Sequence, residues 1–220
     1  MRCSNCGRDN RPDAAFCDSC GTRLIAPSES GSAGESPKVA EGGFVGRHRE
    51  MDQLIAAWEQ SSSGHGRLVL LVGEPGIGKT RIAQELTAYA QSEGARVLWG
   101  RCYAEEGAPA YWPWMQMLRS YLEGVDSQQV RSDLAPGAAD IAAIVPEVRD
   151  QLPGLEPPPI MEPDQARFRL FESVVHFFQH LARAQPLLLV LDDLHWADRP
   201  SLLLLQFLAQ QMAHTRLLIV

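Results

Sequence analysis

Gly73-Glu74-Pro75-Gly76-Ile77-Gly78-Lys79-Thr80 fits the pattern G-x-x-x-x-G-K-[ST] at every fixed position. An apolar run, RLVLLV (67–72), leads into it, and a helical pattern opens at Lys79. The spacing has a physical reason. Glycines let main-chain N–H groups converge on a phosphate without obstruction by side chains, and the start of the helix adds the positive end of its dipole. The stretch that would contact the phosphates runs from Gly73 through Glu74, Pro75, Gly76, Ile77, Gly78, Lys79 and Thr80 to Arg81. Lys79 is expected to reach the β- and γ-phosphates as a point charge, and the Thr80 hydroxyl to ligate magnesium. A bound nucleoside triphosphate, ATP, with Mg2+ follows as the expectation.

The rest of the chain from Phe44 alternates strand-like and helix-like patterns. Short runs rich in Leu and Val predict strands at 67–72, 96–102, 187–193 and 216–220, each buried on both faces. Helical spacing predicts helices at 47–60, 79–92, 113–123, 164–184 and 200–213. The fourth helix has Pro163-Asp164 as its start signal and apolar positions at Phe168, Phe171, Val174, Val175 and Phe178. Strand, crossover helix and strand in repetition imply an α/β fold, a P-loop NTPase parallel sheet with helices on both faces. Residues 151–164, QLPGLEPPPIMEPD, read as an irregular excursion. The sequence stops at Val220 inside an apparent strand, so the sheet is expected to be C-terminally incomplete and the sequence partial.

A second acidic motif completes the expected site. The run Leu187–Leu191 ends in Asp192-Asp193 and continues Leu194-His195-Trp196-Ala197-Asp198. An apolar strand next to the P-loop strand would deliver Asp192 to the magnesium through its water shell. Asp193 is the candidate to orient or deprotonate the attacking water, although an Asp reaches less far than a Glu. The plainer reading has both acids capping the helix that follows. Their place at the C-terminal end of a strand, where open α/β sheets bind ligands, favours the first. His195 reads as a hydrogen-bonded structural residue, Asp198 as a helix cap, and Cys102 as an inert core thiol.

The N-terminal residues form a separate region. Cys3-x-x-Cys6-Gly7 and Cys17-x-x-Cys20-Gly21 are two knuckles, and their four thiolates suit tetrahedral zinc. A redox dithiol pair is the alternative. A module of this size cannot fold on its own apolar core, so Zn2+ would supply the folding energy. Residues 25–43, IAPSESGSAGESPKVAEGG, have almost no bulky apolar side chains and read as a flexible linker. The domains expected are therefore a zinc ribbon at 1–24, a linker at 25–43 and a nucleotide-binding domain at 44–220.

Composition excludes other classes. With 45% hydrophobic and 21% charged residues the chain has the mix of a globular domain. A net charge of −7 argues against bulk electrostatic affinity for nucleic acid. No apolar run reaches the length of a membrane span, and no secretory signal opens the chain, so a cytoplasmic location is expected.

Taken in order, Phe44-Val45-Gly46-Arg47-His48-Arg49-Glu50-Met51, GEPGIGKT, GRCYAEEGAPAYWPW (100–114) and LLLVLDDLHWAD (187–198) resemble the AAA-type ATPase module of bacterial signal-transduction NTPases. That module occurs in large LuxR-type ATP-binding regulators and in cyclase-associated ATPases. The resemblance implies an ATP-driven switch and a role for Val45 and Arg47 beside the adenine. It also implies sensor residues, a helical lid and an effector region beyond Val220. Protein partners or self-association are expected through those regions, and nucleic acid only through domains this sequence lacks. The aromatic residues Tyr111, Trp112 and Trp114 read as core. Two alternatives to an ATPase switch stand at this point: a nucleotide-binding scaffold without hydrolysis, and a DNA-associated initiator-like ATPase.

Overall fold

The leucine-rich runs form one four-stranded parallel sheet in a computed structural model that describes residues 47–103 and 109–220. These residues belong to one unit, Val45–Val220. The cysteines Cys3, Cys6, Cys17 and Cys20, the linker 25–43 and Val45 lie outside the described residues.

The chain runs α1 (His48–Ser62), β1 (Arg67–Leu68), α2 (Lys79–Ser92), β2 (Arg96–Arg101), α3 (Trp112–Glu123), α4 (Ser127–Leu134), α5 (Ala138–Ile141), α6 (Val148–Gln151), α7 (Pro163–Ala184), β3 (Leu187–Asp192), a 3-10 turn at Leu194–Trp196, α8 (Arg199–Gln211) and β4 (Leu217–Ile219). The strand order is β1-β4-β3-β2. Every residue of β3 is buried, because neighbouring strands cover both its edges and helices both its faces. Leu187, Leu189 and Leu191 join the cluster built by α3, α7 and α8, while Leu188 and Val190 turn to the opposite face. That face is covered by α1 and α2, which bury Leu54, Trp58, Ile82 and Leu86. An unbroken apolar run is what a strand buried on two faces requires.

The structure corrects the expected strand order. The P-loop strand and the acid-bearing strand are not neighbours: β4 lies between β1 and β3. The P-loop strand is also shorter and barer than its pattern predicts. Pairing with β4 is confined to Arg67 and Leu68, with one further bond from Val69 N–H to Ile219 O at 2.8 Å. Leu70 is 62% and Val72 90% exposed, so this run is an edge with an open flank, not a strand buried on both faces. Residues 127–151 hold the short helices α4 to α6, for which sequence periodicity gave no expectation. Helices this short rest on tertiary packing, not on their own propensity. The segment between α6 and α7 is irregular, as its prolines predict.

The aromatic residues of the 111–114 segment pack inward. Trp114 is fully buried and meets Phe178 of α7 at a ring separation of 5.9 Å, and Tyr111 meets Phe171 edge-on at 6.1 Å. Trp112 is half-buried against the same cluster. Phe168 departs from its expected place: it is 52% exposed and rests edge-on against Phe207 of α8.

Candidate functional site

The phosphate loop closes on left-handed glycines. Gly76 has φ of 78° and Gly78 has φ of 96°, values that cost an L side chain of order 1 kcal/mol or more. Gly78 is also the residue immediately before α2, which carries no side-chain cap and no acidic residue in its first turn. The first main-chain bond of that turn runs from Ile82 N–H to Gly78 O at 3.1 Å. The amides of Lys79, Thr80 and Arg81 therefore have no acceptor within the helix. An uncapped helix start free of acidic side chains is electrostatically ready for an anion.

Lys79 bends back over this loop. Its Nζ donates to Gly73 O at 2.8 Å and Glu74 O at 3.0 Å. Arg47, immediately before α1, donates through Nη2 to Ile77 O. Arg47 and Lys79 thus share the wall of an open cleft of about 320 Å3, together with Leu54, Leu70, Val72 and Ile77. The Arg81 side chain does not join them. It pairs with Glu85 at 2.5 Å along the outer face of α2, so only its main chain belongs to the phosphate-facing stretch.

The acidic motif reaches the loop across the intervening strand. Asp192, the last residue of β3, is 9% exposed, and its Oδ1 accepts from the Thr80 hydroxyl at 3.0 Å. Oδ1 also accepts from Asp193 N–H at 3.1 Å. The other oxygen, Oδ2, accepts from Arg101 Nη2 at 2.7 Å and Nε at 3.2 Å. Arg101 is the register partner of Asp192 on β2, which puts the two side chains at the same strand end. The hydrogen bond from Arg101 to Asp192 is the main cause that raises the guanidinium pKa above its usual range, offset by partial burial. Arg101 was not among the residues the sequence singles out. Its signals are its place near the end of the 96–102 run and in the 100–114 motif, and sequence alone does not tell which strand lies beside it.

Asp193 takes up a left-handed conformation, with φ of 57°. For a non-glycine residue this is a strained state held by the surrounding turn. Its carboxylate makes no hydrogen bond among the described residues, and it is half-buried. His195 and Trp196 follow in the 3-10 turn, both exposed, their rings 5.0 Å apart and tilted by 46°. His195 has no side-chain hydrogen bond among the described residues, so the expected structural anchor is not seen there. Asp198 does act as a cap. It accepts from Ser201 N–H at 2.9 Å and also from Tyr111 N–H at 3.3 Å, tying α8 to the 111–114 segment. Cys102 is buried, and desolvation, followed by the charges of Asp198, Asp193 and Asp192, pushes its thiol up to about 11. It is a core thiol, as expected.

These residues fit a polyphosphate with a hard divalent cation. Among the described residues no group of three or more His, Cys, Asp or Glu side chains could hold a metal alone. The Thr80 hydroxyl and the Asp192 carboxylate supply two oxygen donors beside the anion-ready helix start. Magnesium prefers such a partial shell, completed by phosphate oxygens and water. No helix among the described residues is long and apolar enough to cross a membrane.

Comparison with known proteins agrees with this fold. The family model described as "AAA ATPase domain" matches residues 43–220, and one described as a zinc-ribbon domain matches residues 2–24. An uncharacterized protein of Rhizobium meliloti (strain 1021) is 23% identical over 192 residues, covering 81% of this chain. The match takes in 18% of that protein's length, so the chain spans about a fifth of the relative. No solved structure matches the chain.

Proposed function

The chain belongs to the AAA ATPase domain family, and on that premise we propose that it is an ATP-hydrolysing switch module of a cytoplasmic signalling or transcription-regulatory protein. Residues 44–220 form the ATPase domain of this reading, 25–43 a linker, and 1–24 a zinc ribbon held by Cys3, Cys6, Cys17 and Cys20. The regulatory part of the reading rests on the likeness of the four ordered motifs to bacterial signal-transduction ATPases. Partners or self-association would act through regions outside this sequence.

The observation that carries the ATPase reading is the hydrogen bond between Thr80 and Asp192, since it joins the phosphate loop to the acidic strand. When bound, magnesium and ATP supply a phosphoryl group whose charge is already partly neutralised. The chain's own residues then have separate tasks. The main-chain N–H groups of residues 73–81, Pro75 excepted, donate to the phosphate oxygens, and Lys79 leaves the Gly73 and Glu74 carbonyls to add its ammonium. Thr80 and Asp192 would hold the cation with their hydroxyl and carboxylate oxygens. Asp193 orients the attacking water and takes its proton. Arg47 lines the cleft, and the family likeness assigns it, with Val45, to the base side.

Lys79→Ala tests the reading. It should weaken ATP binding by about 100-fold or more and stop phosphate release, because no other residue of the loop carries that charge. Calorimetric titration with ATP and a phosphate-release assay read the two effects. Unchanged affinity and turnover would remove the basis of the assignment.

A second reading is a nucleotide-binding scaffold without appreciable hydrolysis. It is favoured by the short Asp193 side chain, where a longer Glu would reach further, and by the strained backbone that fixes its direction.

A further inference from the structure

Asp192 has no acceptor capacity to spare. An ionised carboxylate offers about four lone-pair directions. Thr80 and Asp193 N–H occupy Oδ1, and the two Arg101 nitrogens occupy Oδ2. A hydrated cation can engage this carboxylate only if one of these donors leaves. Three features identify which one. Asp193 N–H is fixed by the backbone, and Thr80 sits in the first turn of α2, where donating to the carboxylate leaves its hydroxyl lone pairs available. The Arg101 side chain, by contrast, is 44% exposed at the end of an edge strand, against 9% for Asp192. It is the partner free to swing away.

We propose that Arg101 gates the cation position: its guanidinium holds Asp192 when no cation is bound and must give up that carboxylate when one enters. The proposal rests on the magnesium and ATP reading above. Two positive charges cannot share one carboxylate in a half-buried site without repulsion, so Arg101 lowers the affinity for the cation. Cation entry thereby frees a guanidinium at the strand ends, beside the left-handed Asp193. The main chain of Arg101 stays where it is, because Gln116 of α3 brackets it, accepting from its N–H at 3.3 Å and donating to its carbonyl at 2.8 Å. Only the side chain has to move. A purely architectural ion pair at a sheet edge is the contrasting case, and it would leave cation affinity alone.

Manganese serves as the probe, because free hexaaqua Mn2+ gives an EPR signal that binding removes. Mn2+ is titrated into the full chain saturated with ADP, for the wild type, Arg101→Gln and Arg101→Lys. Arg101→Gln is expected to bind Mn2+ about tenfold more tightly, and Arg101→Lys to stay within about twofold of wild type, since it keeps the charge. Arg101→Met, which keeps the apolar stem against the sheet, takes its place should the Gln variant fail to fold. Unchanged or weaker Mn2+ binding in the charge-removing variant overturns the gate. ADP binding in EDTA separates the two levels of the argument. No ADP uptake with or without metal sinks both the nucleotide reading and the gate, whereas normal uptake with an unmoved Mn2+ affinity sinks the gate alone.

Discussion

The Thr80 hydroxyl donates to the Asp192 carboxylate at 3.0 Å across 112 residues of sequence. One partner opens the helix after the phosphate loop, and the other ends the third strand in sequence order. No hydrogen bond between β1 and β3 brings them together, because β4 lies between. Parallel pairing in register does so instead, by aligning the C-terminal ends of the strands. Those ends are where an open α/β sheet presents its ligand site.

Asp193 decides between the two readings of the site. Asp193→Asn should leave ATP affinity within about twofold and lower turnover by about 100-fold, as expected for loss of a general base. Calorimetry and phosphate release measure the two quantities on one preparation. Turnover that survives the substitution assigns the water to another group. A wild type with no turnover at all favours the scaffold.

Asp198 joins two elements through one carboxylate. It accepts from Ser201 N–H and, at 2.6 Å, from the Ser201 hydroxyl, and it also receives Tyr111 N–H. Asp198→Ala should cost about 1–2 kcal/mol, the usual loss for an N-cap with an added main-chain donor left open. Urea unfolding gives the value. A change below about 0.5 kcal/mol would mean that water replaces the carboxylate on both donors.

Tyr121 couples stability to alkaline pH. It is 2% exposed, and its hydroxyl donates to Asp133, which also receives Gln129 Nε2 at 2.6 Å and faces His180 Nε2 at 3.0 Å. Burial first, and then the hydrogen bond to Asp133, raise the phenol pKa above its ordinary value of 10.0. A raised folded-state value contributes stability that is complete below pH 10 and is lost as pH rises from 10 through the folded-state value. The wild type should therefore lose stability above pH 10 more steeply than Tyr121→Phe. At neutral pH the variant should be about 1–2 kcal/mol less stable, since Asp133 loses a buried donor. Chemical unfolding at pH 7 and at pH 10.5 checks both, and parallel pH profiles would refute the coupling.

Legibility differed from residue to residue for physical reasons. The phosphate loop was plain in the sequence because glycines at fixed spacing meet a local backbone need, and that need appears as positive φ at Gly76 and Gly78. Trp114, Cys102 and the cap at Asp198 were read correctly for similarly local reasons, from apolar context or helix-start chemistry. Arg81 shows the limit of a contiguous motif: its side chain follows helical geometry to Glu85, four residues on. Arg101 shows the opposite limit, since its partner is 91 residues away.

The sequence by itself determined the phosphate loop, the acidic strand end, the parallel α/β class and the match of residues 43–220 to the AAA ATPase domain family. Each is written in contiguous residues whose local conformation follows from their own chemistry. Only the tertiary structure decided that β4 separates the two motif-bearing strands, that the flank of the P-loop strand is open, and that Arg101 closes on Asp192. Strand order and register are set by which apolar faces fit together across the whole domain, and a linear pattern of apolar residues does not name its neighbours.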